Sequence, residues 1–205
     1  MAATCPADFD VDALRERVRA EYDRVAREPQ GNFHFRHGLE YACQLLGFDR
    51  IELQSLPEEC VERFTGVGNP HRIGPIQPGE IILDVGCGAG MDLLLAARSV
   101  SPRGKAIGVD MTLAMCERAR AAAVQSGLWQ SVDIRVGRAE ELPVEDESID
   151  VVISNGVINL SPDKNRAFSE ILRVLRPRGR LYLADVVLQR ELSLNARSNM
   201  DLWVA

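Results

Sequence analysis

Hydrophobic positions fall into two regimes along the chain. Between residues 10 and 28 apolar side chains recur at Val11, Leu14, Val18, Tyr22 and Val25 with charges between them, a spacing that predicts a helix stopped by Pro29. Further helices are predicted over 38–46 and 57–64. The stretch T-G-V-G-N-P-H-R-I-G-P-I-Q-P-G, residues 65–79, is dense in turn formers and marks a boundary. Beyond it short apolar runs alternate with helical patterns. Strands are predicted over 81–85, 105–109, 132–136, 149–154 and 180–188, the last preceded by Gly179. Helices are predicted over 91–99 and 113–126, the latter capped by Thr112 and ended by Gly127. A third is capped by Ser161 with Pro162 at its first position and buries Phe168, Ile171, Leu172 and Leu175. Short, fully apolar strands joined by helices predict an α/β fold, a parallel sheet covered on both faces. The expected organisation is a helical lid and substrate-side segment over 1–78 and a core over 79–205.

Composition narrows the class. A chain of 205 residues, 46% hydrophobic and 26% charged, suits one soluble domain with a small appendage. A net charge of −6 argues against nucleic acid as a partner. No apolar run approaches the ~20 residues of a membrane span. The start, M-A-A-T-C-P-A-D, has neither the basic region nor the apolar core of a signal peptide. Five scattered cysteines without a C-x-x-C pair point to reduced thiols in a cytoplasmic setting.

The chemistry concentrates at L-D-V-G-C-G-A-G, residues 83–90, between the first core strand and its helix. A glycine-rich turn there lets a ligand approach the backbone at the carboxyl edge of the sheet. A nicotinamide-dinucleotide loop would need a third glycine at position 91, which is Met91. Asp84 before the loop repels a pyrophosphate and can hold a cationic ligand or an amino group. Asp110, twenty-four residues after Gly86, ends the second strand where an acid accepts both ribose hydroxyls. An anionic loop with a ribose-reading acid suits S-adenosylmethionine, which has no phosphate and carries an ammonium and a sulfonium. The plainer alternative makes Gly86, Gly88 and Gly90 turn residues only, with Asp84 and Asp110 as strand-end caps. Cys87 reads as a small side chain tucked beneath the loop rather than a nucleophile.

In order, D-V-G-C-G-A-G, G-V-D-M, G-R-A-E-E-L-P, D-V-V-I-S-N and R-V-L-R-P-R-G-R-L-Y-L-A-D resemble the class I S-adenosylmethionine-dependent methyltransferases over about 79–185. G-V-D-M-T and S-N-G-V-I-N-L-S-P-D-K, residues 108–112 and 154–164, are similar to the arsenite methyltransferases. The resemblance implies a Rossmann-like fold with S-adenosylmethionine as cofactor. The loop Gly86, Cys87, Gly88 and Gly90 would face its methionine part, with Asp84 beside it. Asp110 would face the ribose, Met111 the adenine, Ala139 and Glu140 the adenine edge. Asn155 would lie by the methionine carboxylate or the methyl group, with Asn159 nearby, unless both only shape the turn after a strand.

Departures from that family concern the acceptor. Its members hold trivalent arsenic with cysteine thiolates, and the expected positions are occupied here by Gly156 and Val67, with no third candidate in 1–205. The resemblance therefore implies the fold and cofactor with a small-molecule acceptor of another kind, and Gly156 making room for it. Arsenite or another metalloid is the alternative acceptor, and a non-catalytic cofactor-binding protein the alternative role. His34 and His37 in N-F-H-F-R-H-G have no ligand partners at metal spacing, so one of them either lines the acceptor pocket or packs within the lid. An oxygen acceptor would use one of these histidines as base. Beyond 188 nothing reads as the antiparallel strand pair usual after the fifth strand, so that strand's edge is expected to be covered by a missing C-terminal part or by a partner, such as a second copy in a homodimer.

Overall fold

In the computed structural model, which describes residues 10–187 together with Gln189 and Trp203, a helical layer precedes an alternating β/α unit. The layer comprises α1 (Val11–Arg27), α2 (Gly38–Leu46), α3 (Arg50–Gln54) and α4 (Glu58–Glu62). The unit runs β1 (Ile81–Val85), α5 (Met91–Val100), β2 (Lys105–Asp110), α6 (Leu113–Gln125), β3 (Val132–Val136), β4 (Ile149–Asn155), α7 (Lys164–Val174) and β5 (Leu175–Ala184). All strand pairs are parallel, in the order β3-β2-β1-β4-β5. Connections leave β1 and β4 toward opposite sides of the sheet, which opens a crevice at their carboxyl ends.

Both faces of the central strands are apolar, so each needs a cover. Leu83, Val85 and Val152 pack with Ile171 and Val174 of α7 on one face. On the other, Ile82 and Ile153 meet Ala96 and Val100 of α5. The helical layer continues that second side: Val25, Leu53 and Cys60 share one cluster with Leu94 and Met115. Polar fasteners close the seam. The Arg63 guanidinium donates to the carbonyls of Ala26 (2.8 Å) and Glu59 (2.9 Å), and Arg98 donates to Ser55 Oγ (2.6 Å) and O (2.7 Å).

Three expectations are corrected. The helix after β4 starts at Lys164 with Asp163 as its cap (Arg166 N–H to Oδ1, 2.9 Å), because the Ser161 hydroxyl is taken by Glu140 Oε1 at 2.9 Å. Thr112 occupies the cap position of α6, but its own N–H is held by Asp110 Oδ1 and its side chain makes no capping bond. The fifth strand begins earlier, at Leu175, and ends at Ala184; Leu188 lies outside the described residues. A register shift opposite Ile149 and Val151 lets residues 176–179 leave the ladder, with Arg178 at φ +70°. α3 was not foreseen, since five residues give too short a period to read.

Glu170, 4% exposed, accepts from Leu142 N–H (2.9 Å) and from Arg173 Nε (3.0 Å) and Nη2 (2.7 Å), while Arg173 also donates to the carbonyls of Leu142 and Val144. Glu170→Ala leaves the buried Leu142 N–H without its acceptor and takes a carboxylate from Arg173, which keeps Asp146 and two carbonyls. Chemical denaturation should show a loss of about 2–4 kcal/mol.

Candidate active site

A cleft of about 830 Å³, its open mouth included, lies at the carboxyl ends of β1, β2 and β4 beneath α1. Of the residues singled out in the sequence, Gly86, Gly88, Asp110, Met111, Ala139, Glu140 and Asn155 line it. Asp84, Cys87 and Gly90 do not: they stand behind the wall. Cys87 is buried with its thiol toward Gly108, and Gly90 begins α5 at φ +97°. Asp84 points between the sheet and α5, 2% exposed, with Oδ2 lacking any partner.

Local geometry explains the lining. Gly86 sits at φ +74°, and a Cβ on it would stand 2.2 Å from Val157 Cγ2. At Gly88 a Cβ would meet nothing within 4 Å, since it would project into open space. The loop is tied to β2 through Asp110, whose Oδ2 accepts Gly88 N–H (2.9 Å) and Oδ1 accepts Thr112 N–H (2.8 Å). With a further bond from the Thr112 side chain, the carboxylate still keeps a lone pair for a ligand hydroxyl. Gly137 N–H donates to the Asp110 carbonyl at 3.0 Å, which sets Ala139 and Glu140 across the cleft. Val109, Met111, Met115 and Leu160 make the space between them apolar.

Asn155 lines the cleft with its side-chain amide already engaged. Its Oδ1 accepts from Val67 N–H (2.8 Å) and Gly68 N–H (3.0 Å), and its Nδ2 donates to Gly68 O and Asp92 Oδ2, both at 2.9 Å. That exhausts the two donors and two lone pairs of the amide. Asn159 is outside the lining, with its N–H on the Asp185 carboxylate. His34 and His37 are also away from the cleft: His34 is exposed, and His37 packs edge-on to Phe33 with Nδ1 3.3 Å from Glu62 O.

Sequence reasoning missed the ceiling of the cleft. α1 lowers Arg15, Val18 and Tyr22 over it, and Thr65 hydrogen-bonds the Tyr22 hydroxyl. The apolar stripe of α1 was legible, but not that two of its positions, Val18 and Tyr22, line the cleft. Burial, with Asp110 adding and the Thr65 side chain opposing, pushes the Tyr22 phenol up to about 12, so it stays protonated. Burial likewise raises Asp110, against the N–H bonds it accepts, and holds Asp84 well above the ordinary carboxylate range, with Asp92 and Asp110 adding. The described cysteines Cys43, Cys60, Cys87 and Cys116 are free, all with thiols raised by burial, and none lines the cleft.

A glycine turn at the end of β1, an acid at the end of β2 and a phosphate-free apolar slot between them, on a parallel 3-2-1-4-5 sheet, define a class I methyltransferase fold. The chain belongs to the methyltransferase-domain family, whose sequence profile matches residues 76–204. It is 39% identical over 197 residues to an arsenite methyltransferase from Halobacterium salinarum, covering 90% of this chain and 50% of that one. Over 104 residues it is 39% identical to a demethylmenaquinone methyltransferase from Symbiobacterium thermophilum, covering 51% and 41%. The crystal structure of an arsenic(III) S-adenosylmethionine methyltransferase from Chlamydomonas reinhardtii superposes with a TM-score of 0.68 at 40% identity, covering 75% of this chain and 53% of that one. The chain thus spans about half the length of the arsenite methyltransferases it matches. The cofactor of this family is S-adenosylmethionine, and the cleft fits it: open space at Gly88, a free lone pair on Asp110 and an apolar slot.

Asp84 yields a test by pH. Its folded carboxyl is raised above the ordinary 3.8, so above that pH the unfolded chain releases a proton that the fold retains. Its contribution to stability therefore falls as pH rises from about 3.8 toward the raised value. Without cofactor, Asp84→Asn should show a shallower decline of melting temperature across that window than the parent, with the two curves closest at the acid end.

Proposed function

We propose that this chain is an S-adenosylmethionine-dependent methyltransferase for a small-molecule acceptor whose reacting atom is not held by thiolates. The observation that carries the reading is the meeting of Val67 and Gly156. A Cβ built on Gly156 would stand 3.3 Å from Val67 Cγ1 and 3.6 Å from Cγ2. These are the two places where the arsenite methyltransferase resemblance expects cysteines; they converge in space, and neither holds sulfur. A soft metalloid needs such ligands.

Residues 1–78 then serve as the lid and substrate-side segment, and 79–205 as the cofactor-binding core. Asp110 accepts the ribose hydroxyls, Met111 and Met115 flank the adenine, and Ala139 and Glu140 meet its edge. Gly86 and Gly88 leave room for the methionine part. Asp84, behind the loop with Cys87 and Gly90, contributes through its field and not by contact. When bound, the cofactor supplies an electrophilic methyl group on a sulfonium. The chain's part is to align the acceptor and exclude water, with Val18 and Tyr22 closing the cleft from above. Tyr22, Thr65, Asn155, Gly156 and Val157 line the acceptor end without an imidazole or a thiolate, which suits an atom that is already nucleophilic. No helix among the described residues is long and apolar enough to cross a membrane, and the unpaired described cysteines suit a cytoplasmic setting. Among the described residues β5 is an edge strand of the sheet, a place for a second copy to pair.

Metalloid methylation stays as the second reading, favoured by the likeness to an arsenite methyltransferase across 90% of the chain. Incubation with arsenite, thiol and cofactor should yield no methylated arsenical; its formation would overturn the reading of Val67 and Gly156. Turnover of an organic acceptor in a metabolite screen separates an enzyme from a cofactor-binding protein without catalysis.

Asp110→Ala tests the cofactor assignment. Removing a charged acceptor from two hydroxyls should weaken S-adenosylmethionine binding by roughly ten- to a hundredfold in calorimetry. Because the same carboxylate holds Gly88 and Thr112, melting temperature should drop with it. A variant that melts lower yet binds like the parent would reduce Asp110 to a cap.

A further inference from the structure

A chain of hydrogen bonds runs behind the acceptor end and reaches the cleft wall only at Asn155. It starts at His71, on a single 3-10 turn (Pro70–Arg72) whose N-cap Asn69 accepts His71 N–H at 3.1 Å. His71 Nε2 lies 3.0 Å from Asp92 Oδ1, and Asp92 Oδ2 accepts from Asn155 Nδ2 at 2.9 Å. Asn155 then closes on the loop from which His71 came, through the N–H groups of Val67 and Gly68 and the Gly68 carbonyl. The orientation of this amide is forced, since a flipped amide would set NH2 against two N–H donors and oxygen against a carbonyl and a carboxylate.

Buried titratable groups without a direct part in the cleft call for a reason. Asp92 is 7% exposed on the first turn of α5, next to the glycine loop. It binds the loop at both ends, through His71 and through Asn155. At and just before the Asn155 end lie the segment's two contributions to the acceptor end: Val67, facing Gly156, and Thr65, beside the Tyr22 hydroxyl. The fit is tight, since a Cβ on Gly66 would stand 2.4 Å from Asn155 Nδ2 and one on Gly68 2.7 Å from the Ala184 Cβ. A shift of the loop by one side-chain radius would change the wall an acceptor meets.

We propose that His71, Asp92 and Asn155 are positioning residues, a relay that ties the acceptor wall at residues 65–69 to the cofactor loop through α5 and so sets which acceptors the cleft admits. The proposal rests on reading the cleft as a methyl-transfer site, and it reassigns Asn155 from cofactor contact to loop placement.

The test separates loop placement from cofactor binding and from general destabilisation. In His71→Ala and Asp92→Asn, amide hydrogen exchange at Val67 and Gly68 should accelerate by about tenfold or more, the effect of losing roughly one hydrogen bond's net worth. Exchange within α7 should stay within about twofold of the parent in both variants, and so should the affinity for S-adenosylmethionine in His71→Ala, which leaves the acids of the cofactor loop in place. A second arm reads geometry directly. Val67→Cys with Gly156→Cys should bind phenylarsine oxide, a trivalent arsenical that requires two neighbouring thiols. Adding His71→Ala should weaken that binding about tenfold while leaving cofactor affinity unchanged. Unaltered exchange at Val67 and Gly68, or arsenical binding indifferent to His71, overturns the relay; so does a cysteine pair that fails to bind. His71→Ala carries the test if Asp92→Asn does not fold, because the imidazole is 18% exposed and its loss buries no new charge. Should the parent bind no S-adenosylmethionine, the methyltransferase reading fails, yet exchange at the two amides still decides the relay.

Discussion

The amide of Asn155 holds together segments that are remote in sequence. Four hydrogen bonds from one side chain join the end of β4, the first turn of α5 and the turn-rich segment before β1. Glycine at 66 and 68 is the condition for this closeness, because a side chain at either place would occupy the space of Asn155 or of Ala184. With the segment held there, Thr65 reaches Tyr22 and α1 has a floor to close against. Without it the crevice between β1 and β4 would be an open groove, and the ceiling would have nothing polar to meet.

Electrostatics at the same place are unusual for a buried region. Asp84, Asp92 and Asp110 cluster around the glycine loop, with Asp84 raised by its own burial and then by its two neighbours. Like charges kept out of water disfavour ionisation. A cationic ligand offsets that cost and a phosphate adds to it, which is the physical ground for preferring a sulfonium cofactor to a dinucleotide. Asp110 is partly relieved by two backbone N–H groups, and so remains able to accept from a ligand.

A shared fold does not carry a shared acceptor. Proteins named for acceptors as different as arsenite and demethylmenaquinone match this chain, over 90% and 51% of its length. In this chain Val67 meets Gly156 beside the cleft, an apolar contact.

Sequence by itself determined the alternation of strands and helices, the glycine turn, the acid ending β2 and the absence of sulfur at 67 and 156, since each is written in local spacing. It also placed most element bounds within a residue or two. It misplaced the start of α7, because the Ser161 hydroxyl is spent on Glu140, a partner from another loop. It set Asn155 at the cleft without its four bonds to distant segments and weighed His34 and His37 for an acceptor pocket they do not line, while His71 and Asp92 went unread. Those assignments depend on which groups of distant segments meet and which of their lone pairs are left over. Only the tertiary structure decides that, because a buried polar atom is bound to find a partner wherever in the chain one lies.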